Sequence, residues 1–244
     1  MRKSAVDLSL ILPCYNETPV FVDSVAHIAS VLDRSTLTYE IIFVDDCSRD
    51  TTPNLIRDAV RHTRRYRALF HKWNMGRGRT VADGIALARG TVVGYIDIDC
   101  EVSPVYIPSI VSLIQDKKAD VVVGERIYRS SFGSFVREVL SIGYRRLVST
   151  LLPTGGIDTE SGYKFFNRTR IVPVSKKTLD PHWFWDTEII VRSQLAGLRI
   201  QQVPVLFLRR FDKQSSVHIL ADTISYLRSI LQLKHQLSIE SQVA

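Results

Sequence analysis

The feature that most constrains this chain is a set of short apolar runs that lack in–out alternation. Asp7–Pro13 (DLSLILP), Tyr39–Asp45 (YEIIFVD) and Thr91–Asp97 (TVVGYID) are continuous and rich in Ile, Val and Leu, as strands covered on both faces are. Tyr66–His71 and Asp120–Gly124 are shorter runs of the same kind. Between them, Thr18–Arg34, Asp50–Arg65, Arg77–Arg89 and Pro104–Lys117 repeat apolar residues at helical spacing. Strand and helix alternating at this rhythm predict an α/β fold, a mostly parallel sheet flanked by helices. The second half breaks the rhythm. Ser130–Leu152 carries a broad helical stripe of Phe, Val and Leu; Gly162–Asn167 and Leu198–Leu208 read as strands, with Phe184–Ala196 a helix between them and His218–Gln236 a final amphipathic helix. Pro204 makes the last strand an edge or a bulged one. No repeat, low-complexity tract or Pro/Gly-rich linker interrupts the 244 residues, so one domain is expected.

Charge narrows the partners. The chain has 32 Lys and Arg against 25 Asp and Glu, a net +7, which predicts anionic ones. No apolar run reaches the roughly 18–20 residues of a membrane span. Met1–Ser4 leads into a strand, not a signal sequence, and three cysteines make no disulfide framework, so the expected compartment is reducing cytoplasm. A nucleic-acid binder would interleave cations with aromatics on one face. Here the cations are spread over several elements while carboxylates gather at strand ends, and no nucleic-acid partner is expected.

In an open parallel sheet, ligands bind outside the carboxyl ends of the strands. Three such ends are polar: Pro13-Cys14-Tyr15-Asn16-Glu17, Asp45-Asp46-Cys47-Ser48-Arg49-Asp50 and Asp97-Ile98-Asp99-Cys100-Glu101. Carboxylates at i and i+2 on extended backbone point to one side and suit a hard divalent cation shared with a phosphate. Taken alone, a D-x-D is more often a solvated loop or a helix cap. Ser48 and Asp50 read as caps of the next helix, and Asp46 as a cap or an acceptor for a nucleobase. Asn74-Met75-Gly76-Arg77-Gly78 permits a tight turn and close backbone approach, with Arg77 placed to face phosphate; neither a Walker loop nor a dinucleotide fingerprint is present. Cys14, Cys47 and Cys100 each follow a strand end and read as small structural thiols, since no C-x-x-C supports a metal site.

Taken in order, these segments resemble the family 2 inverting glycosyltransferases of GT-A fold, and within them the dolichol-phosphate mannose synthase (polyprenyl-phosphate hexosyltransferase) branch. To the three strand ends and Asn74–Gly78 are added Gly124-Glu125-Arg126, Asp158-Thr159-Glu160-Ser161-Gly162-Tyr163-Lys164 and Trp183-Phe184-Trp185-Asp186-Thr187-Glu188. The resemblance covers about residues 7–215. It implies that Pro13, Tyr15, Glu17, Val44, Asp46, Asp97 and Ile98 hold the base and ribose of a nucleotide-sugar (a GDP- or UDP-hexose, the hexose being mannose or glucose). Asp99, with Glu101 where the branch often has Gln, would ligate Mg²⁺ or Mn²⁺. It implies that Arg126, Lys164 and Lys213 sit by the diphosphate or the acceptor phosphate, and that Arg210 and Ser215 belong to the loop over the diphosphate. In that loop Lys213 stands at a Gly position and Ser216 at a Lys position. Residues up to about 125 would form the donor half and those from about 126 the acceptor half.

The chemistry agrees. The diphosphate leaving group develops charge that a metal, Arg and Lys neutralise. A hydroxyl acceptor needs a general base, for which Asp186 is the candidate; a polyprenyl phosphate is already an anion, and Asp186 or Glu188 would then orient the sugar or the metal site. Trp183, Phe184 and Trp185 either wall a sugar or acceptor site or simply pack. The Ser130–Leu152 stripe, flanked by Arg129, Arg137, Arg145 and Arg146, fits either an interfacial helix on anionic lipid or a helix packed on the sheet. With no span, membrane contact would be peripheral, at the cytoplasmic face. A glycan or small-molecule hydroxyl acceptor is the alternative.

Overall fold

The computed structural model describes residues 6–128, 143, 148–208 and 219–243. Seven strands, β1 Leu8–Cys14, β2 Tyr39–Asp45, β3 Tyr66–Phe70, β4 Val92–Ile96, β5 Val121–Tyr128, β6 Tyr163–Asn167 and β7 Ile200–Phe207, form one sheet in the order β3-β2-β1-β4-β6-β5-β7. All seven fall on the apolar runs read as strands. Six run parallel; β6 is antiparallel to both its neighbours, β4 and β5. β7 is an edge strand, as Pro204 requires.

The runs are continuously apolar because helices cover both faces. Leu8, Leu10, Leu12 and Cys14 of β1 enter one core with α1 (Phe21–Asp33), α2 (Thr52–His62) and α4 (Ile107–Gln115), while Ile11 enters the other with α3 (Arg77–Leu87), α5 (Arg168–Ser175) and α6 (Trp185–Leu195). α5 has no counterpart among the helices read from sequence. It carries Pro173 inside, and its buried Ile171, Val174 and Ser175 do not make a legible stripe. α6 is buried along Trp185–Ser193 without interruption, because a third core of Val148, Leu152, Phe184, Val191, Ile230 and Leu233 closes its outer side against α7 (Ile219–Val243). Most of the Ser130–Leu152 helix, with Arg129, Arg137, Arg145 and Arg146, and the loop holding Arg210, Lys213, Ser215 and Ser216 lie outside the described residues. No helix among the described residues is long and apolar enough to cross a membrane.

Candidate active site

The chain passes from β1 outward to β2 and β3, then returns to place β4 on the other side of β1. That reversal opens a crevice at the carboxyl ends of β1 and β4, the ligand-binding position of such sheets. The loops after β1, β2 and β4 each contain a non-glycine residue in the left-handed region: Asn16 (φ 57°), Cys47 (φ 63°) and Cys100 (φ 54°). Backbone of this kind is costly and concentrates where a loop must hold one shape for function. The first two loops are stitched together: Ser48 Oγ accepts from Asn16 N (2.9 Å), Asn16 Oδ1 from Arg49 N (2.8 Å), and Asp50 from the N–H and hydroxyl of Thr18. Asp50 also accepts from Thr52 N (2.9 Å), close to the capping role expected of it.

Arg77, the first residue of α3, is the hub of the crevice. Its Nη2 donates to Asp97 Oδ1 (2.5 Å) and its Nη1 to Asp186 Oδ2. The guanidinium carbon lies 5.5 Å from the ring centre of Tyr95 and 5.0 Å from that of Trp183. Asp186, only 3 % exposed, also accepts from Tyr95 Oη and from Lys164 Nζ (2.7 Å). Burial opposes the Arg77 charge, but Asp186 and Asp97 outweigh it and hold the guanidinium above its ordinary value. For Lys164 burial wins, and its ammonium is pulled below the usual lysine value despite Asp186. Burial and Asp186 push the Tyr95 phenol well up. The result is a fixed alternation of charges joining the ends of β4, α3 and α6.

Two glycines make the joint possible. A Cβ on Gly78 would stand 2.3 Å from Trp185 Cβ and 2.6 Å from the His182 carbonyl, and one on Gly76 (φ +93°) would meet the Pro181 carbonyl at 2.5 Å. The close approach that the Asn74–Gly78 motif permits is thus to the Pro181–Trp185 segment, and Arg77 faces carboxylates and not, directly, a phosphate. Gly162 plays the same part beside the Arg77–Asp97 pair, since a Cβ there would overlap Asp97 Oδ2.

Several expected roles change on this geometry. Val44 (0 % exposed) and Ile98 (2 % exposed) are core side chains, so only their backbone reaches the crevice. Asp46 holds its own loop: its carboxylate accepts from His71 Nδ1 (2.8 Å), Met75 N (2.7 Å) and Gly76 N (2.9 Å). Asp97 and Asp99 are not on extended backbone; Asp97–Cys100 is a turn closed by Cys100 N donating to Asp97 O (3.2 Å), and Asp97 is spent on Arg77. Lys164 is fully buried on a central strand, with its Nζ on Asp186 and the Ser161 carbonyl, so it does not reach out to an acceptor phosphate. Arg126 grips Asp158 with Nε (2.9 Å) and Nη2 (2.8 Å) and lies 3.5 Å from Glu160. Burial pushes the Glu160 carboxyl up, against the pull of Arg126. Glu188 turns away from the crevice, accepting from Leu179 N (3.0 Å), Asp180 N (2.9 Å) and Arg192 Nε (2.7 Å). Phe184 and Trp185 pack in the cores, while Trp183 (52 % exposed) faces solvent. Tyr15 (43 % exposed) and the half-buried Pro13 border the crevice, and Glu17 is buried with its N–H on Thr52. The three thiols each donate to a nearby carbonyl.

Sequence reasoning missed Tyr95 and His71. Tyr95 is the next-to-last residue of β4, two before Asp97, and that nearness to the strand end was a usable signal. His71 bridges Asp46 and Asp83 (3.3 Å), contacts that nothing in the local sequence announces. For a metal, Asp99 and Glu101 offer half-buried carboxylates on one turn, with Glu101 N donating to Asp99 Oδ1 (3.3 Å). The described residues contain no cluster of three His, Cys, Asp or Glu side chains placed for a metal. A one- or two-carboxylate set suits Mg²⁺ or Mn²⁺ completed by water and a diphosphate, so the donor set fits such an ion.

A mostly parallel sheet with an acidic crevice at its switch point is an arrangement in which such sheets bind ligands. The chain belongs to glycosyl transferase family 2, whose family model matches residues 9–180. It is similar to the glycosyltransferase AglD of Haloferax volcanii (27 % identical, covering 98 % of this chain and 39 % of AglD). It is also similar to the dolichyl-phosphate beta-glucosyltransferase of Dictyostelium discoideum (29 % identical, 84 % of this chain and 68 % of that protein). The chain therefore spans well under half of one relative and about two thirds of the other. Its fold is that of glucosyl-3-phosphoglycerate synthase from Mycobacterium tuberculosis, with a TM-score of 0.72, 20 % identity, and coverage of 95 % of this chain and 81 % of that one. Structures of that enzyme hold Mn²⁺ and uridine diphosphate.

Proposed function

We propose that this chain is a hexosyltransferase that moves a hexose, glucose in the first instance, from a nucleoside-diphosphate sugar to a polyprenyl phosphate of the dolichyl type, working as a single catalytic unit. The observation that carries the choice of acceptor is the occupancy of the two carboxylates after Trp185. Transfer to a hydroxyl needs a base to take its proton. Asp186 already receives Arg77, Lys164 and Tyr95, and Glu188 receives Arg192 and two backbone amides, so neither is left to act as that base. A phosphate monoester is anionic at neutral pH and attacks without one. Its oxygen bonds to the anomeric carbon as the bond from that carbon to the diphosphate breaks on the opposite face, which inverts the centre.

In this scheme Pro13, Tyr15 and Glu17, with the backbone at Val44 and Ile98, border the base and ribose, and Asp46 keeps the 74–76 loop in place. The Arg77–Asp97–Asp186 array fixes the floor on which the sugar lies, with Trp183 as its wall. Asp99 and Glu101 would hold Mg²⁺ or Mn²⁺, which when bound neutralises the leaving diphosphate. Arg126, and by resemblance Arg210, Lys213 and Ser215, would add cations or donors over the phosphates. UDP is favoured over GDP because one relative is named a dolichyl-phosphate beta-glucosyltransferase and a solved neighbour holds UDP. A lipid acceptor places the reaction at a membrane surface, met peripherally and, as expected from sequence, on the cytoplasmic side. A thermal-shift series with UDP-glucose, UDP-galactose and GDP-mannose, with and without Mn²⁺, tests the donor site: stabilisation by UDP-glucose that requires Mn²⁺ is expected, and silence with every donor would overturn the proposal.

A further inference from the structure

At the amino edge of the sheet, opposite the crevice, α5, α6 and α7 enclose a pocket of about 470 Å³. Its position follows from the register: Asn167, which leads into α5, pairs with the first residue of β4, and Leu198 lies just before Ile200, which pairs with the first residue of β5. The transfer reaction described above makes no use of it. Pro173 and Val174 of α5, Leu195 of α6 and Leu237 of α7 give it apolar walls, and Leu195 is 57 % exposed there. Arg170 and Lys177 also line it, and neither makes an ion pair among the described residues. Asp120, whose carboxyl lies within the influence of Arg170, is already gripped by Arg199 (3.0 Å).

A third cation reaches the pocket from inside. Arg192 is only 4 % exposed; its Nε donates to Glu188 and its Nη1 to Glu240 (3.1 Å), while Nη2 is buried with no hydrogen-bond partner among the described residues. Buried guanidinium N–H groups are normally satisfied, and an unsatisfied one on a residue that lines the cavity, with two cations outside any described ion pair, points to an anion's oxygen. We propose that this pocket binds a single-chain lipid phosphate, its monoester head held by Arg170, Lys177 and Arg192 and the first carbons of its chain laid along Leu195, Val174 and Leu237. Three cations suit the three oxygens of a phosphate monoester, and the walls suit an alkyl chain. Glu188 and Glu240 both pair with Arg192, so the charge open to the head group is that of Arg170 and Lys177.

The test uses the full chain, isothermal titration, and three probes: oleoyl lysophosphatidate below its micellar concentration, glycerol 1-phosphate as the head alone, and monoolein as the uncharged chain. Lysophosphatidate should bind at least about tenfold more tightly than either fragment. Arg170→Glu with Lys177→Glu, and separately Leu195→Glu, should each weaken it by about tenfold or more; all three positions are at the surface, so the fold is spared. The nucleotide-sugar thermal shift should not change in either variant. Equal binding of monoolein, equal binding of glycerol 1-phosphate, or indifference to both variants would overturn the proposal. Lysophosphatidate binding in a protein that ignores every nucleotide-sugar would leave this site standing and sink the transferase.

Discussion

A buried guanidinium costs desolvation that only full pairing offsets, and Arg77 has that pairing in Asp97, Asp186 and two aromatic faces. The same accounting holds for Lys164, which has Asp186 and one carbonyl. Asp186 is thus the shared counter-ion of two cations. Asp186→Asn should destabilise the protein by about 3–5 kcal/mol, because it leaves the buried Lys164 without a counter-ion and Arg77 with Asp97 alone; urea denaturation followed by circular dichroism measures this. Asp99 sits on a half-buried turn outside this array. Asp99→Ala should leave stability within about 0.5 kcal/mol while abolishing the Mn²⁺-dependent shift with UDP-glucose. The two substitutions separate a carboxylate that builds the site from one that serves the ligand. From sequence both aspartates belong to a motif at an element end, and nothing local tells them apart. Asp97 and Asp186 meet at Arg77 only through the packing of α3 on α6.

That packing sets the next scale. The amino end of α3 lies against Pro181–Trp185 so closely that glycine alone fits at positions 76 and 78. Gly78→Ala should cost about 1–3 kcal/mol through overpacking against the Trp185 side chain and the His182 backbone, and should depress activity by displacing Arg77; thermal denaturation and turnover, read together, check it. At the opposite edge Glu40 joins β1, β2 and the turn after α3, accepting from Ser9 Oγ (2.6 Å), Arg89 N (2.9 Å) and Arg67 Nη1 (3.1 Å). Burial pushes its carboxyl up, but these donors and the Arg67 charge outweigh burial and hold it below the ordinary 4.5. A depressed carboxylate stabilises the fold above its unfolded value and loses that contribution as pH falls through the folded one. Glu40→Gln should therefore lower stability at pH 7 and flatten its decline below about pH 4.5, measured by denaturation at stepped pH. The strands were legible because sheets covered on both faces need unbroken apolar runs. The reversed direction of β6 was not, since Gly162–Asn167 reads alike in either sense. α5 escaped because Pro173 interrupts its pattern.

For the molecule as a whole, the motif order made the crevice legible and the sheet explains why: the reversal at β1 and β4 gathers loops that are far apart in sequence. What the order left open was the acceptor, since Asp186 and Glu188 stand two residues apart at the start of one helix and either suited a general base. The tertiary contacts of each carboxylate speak for an acceptor that carries its own charge. The net +7 suits the anionic donor, acceptor and surface of the proposed reaction. The most direct test is to incubate the chain with Mn²⁺, radiolabelled UDP-glucose and a polyprenyl phosphate, then partition the products between chloroform and water. Label in the organic phase that depends on the lipid phosphate and is released by mild acid is the predicted result. Label transferred only to water-soluble acceptors, with none in the lipid, would contradict it.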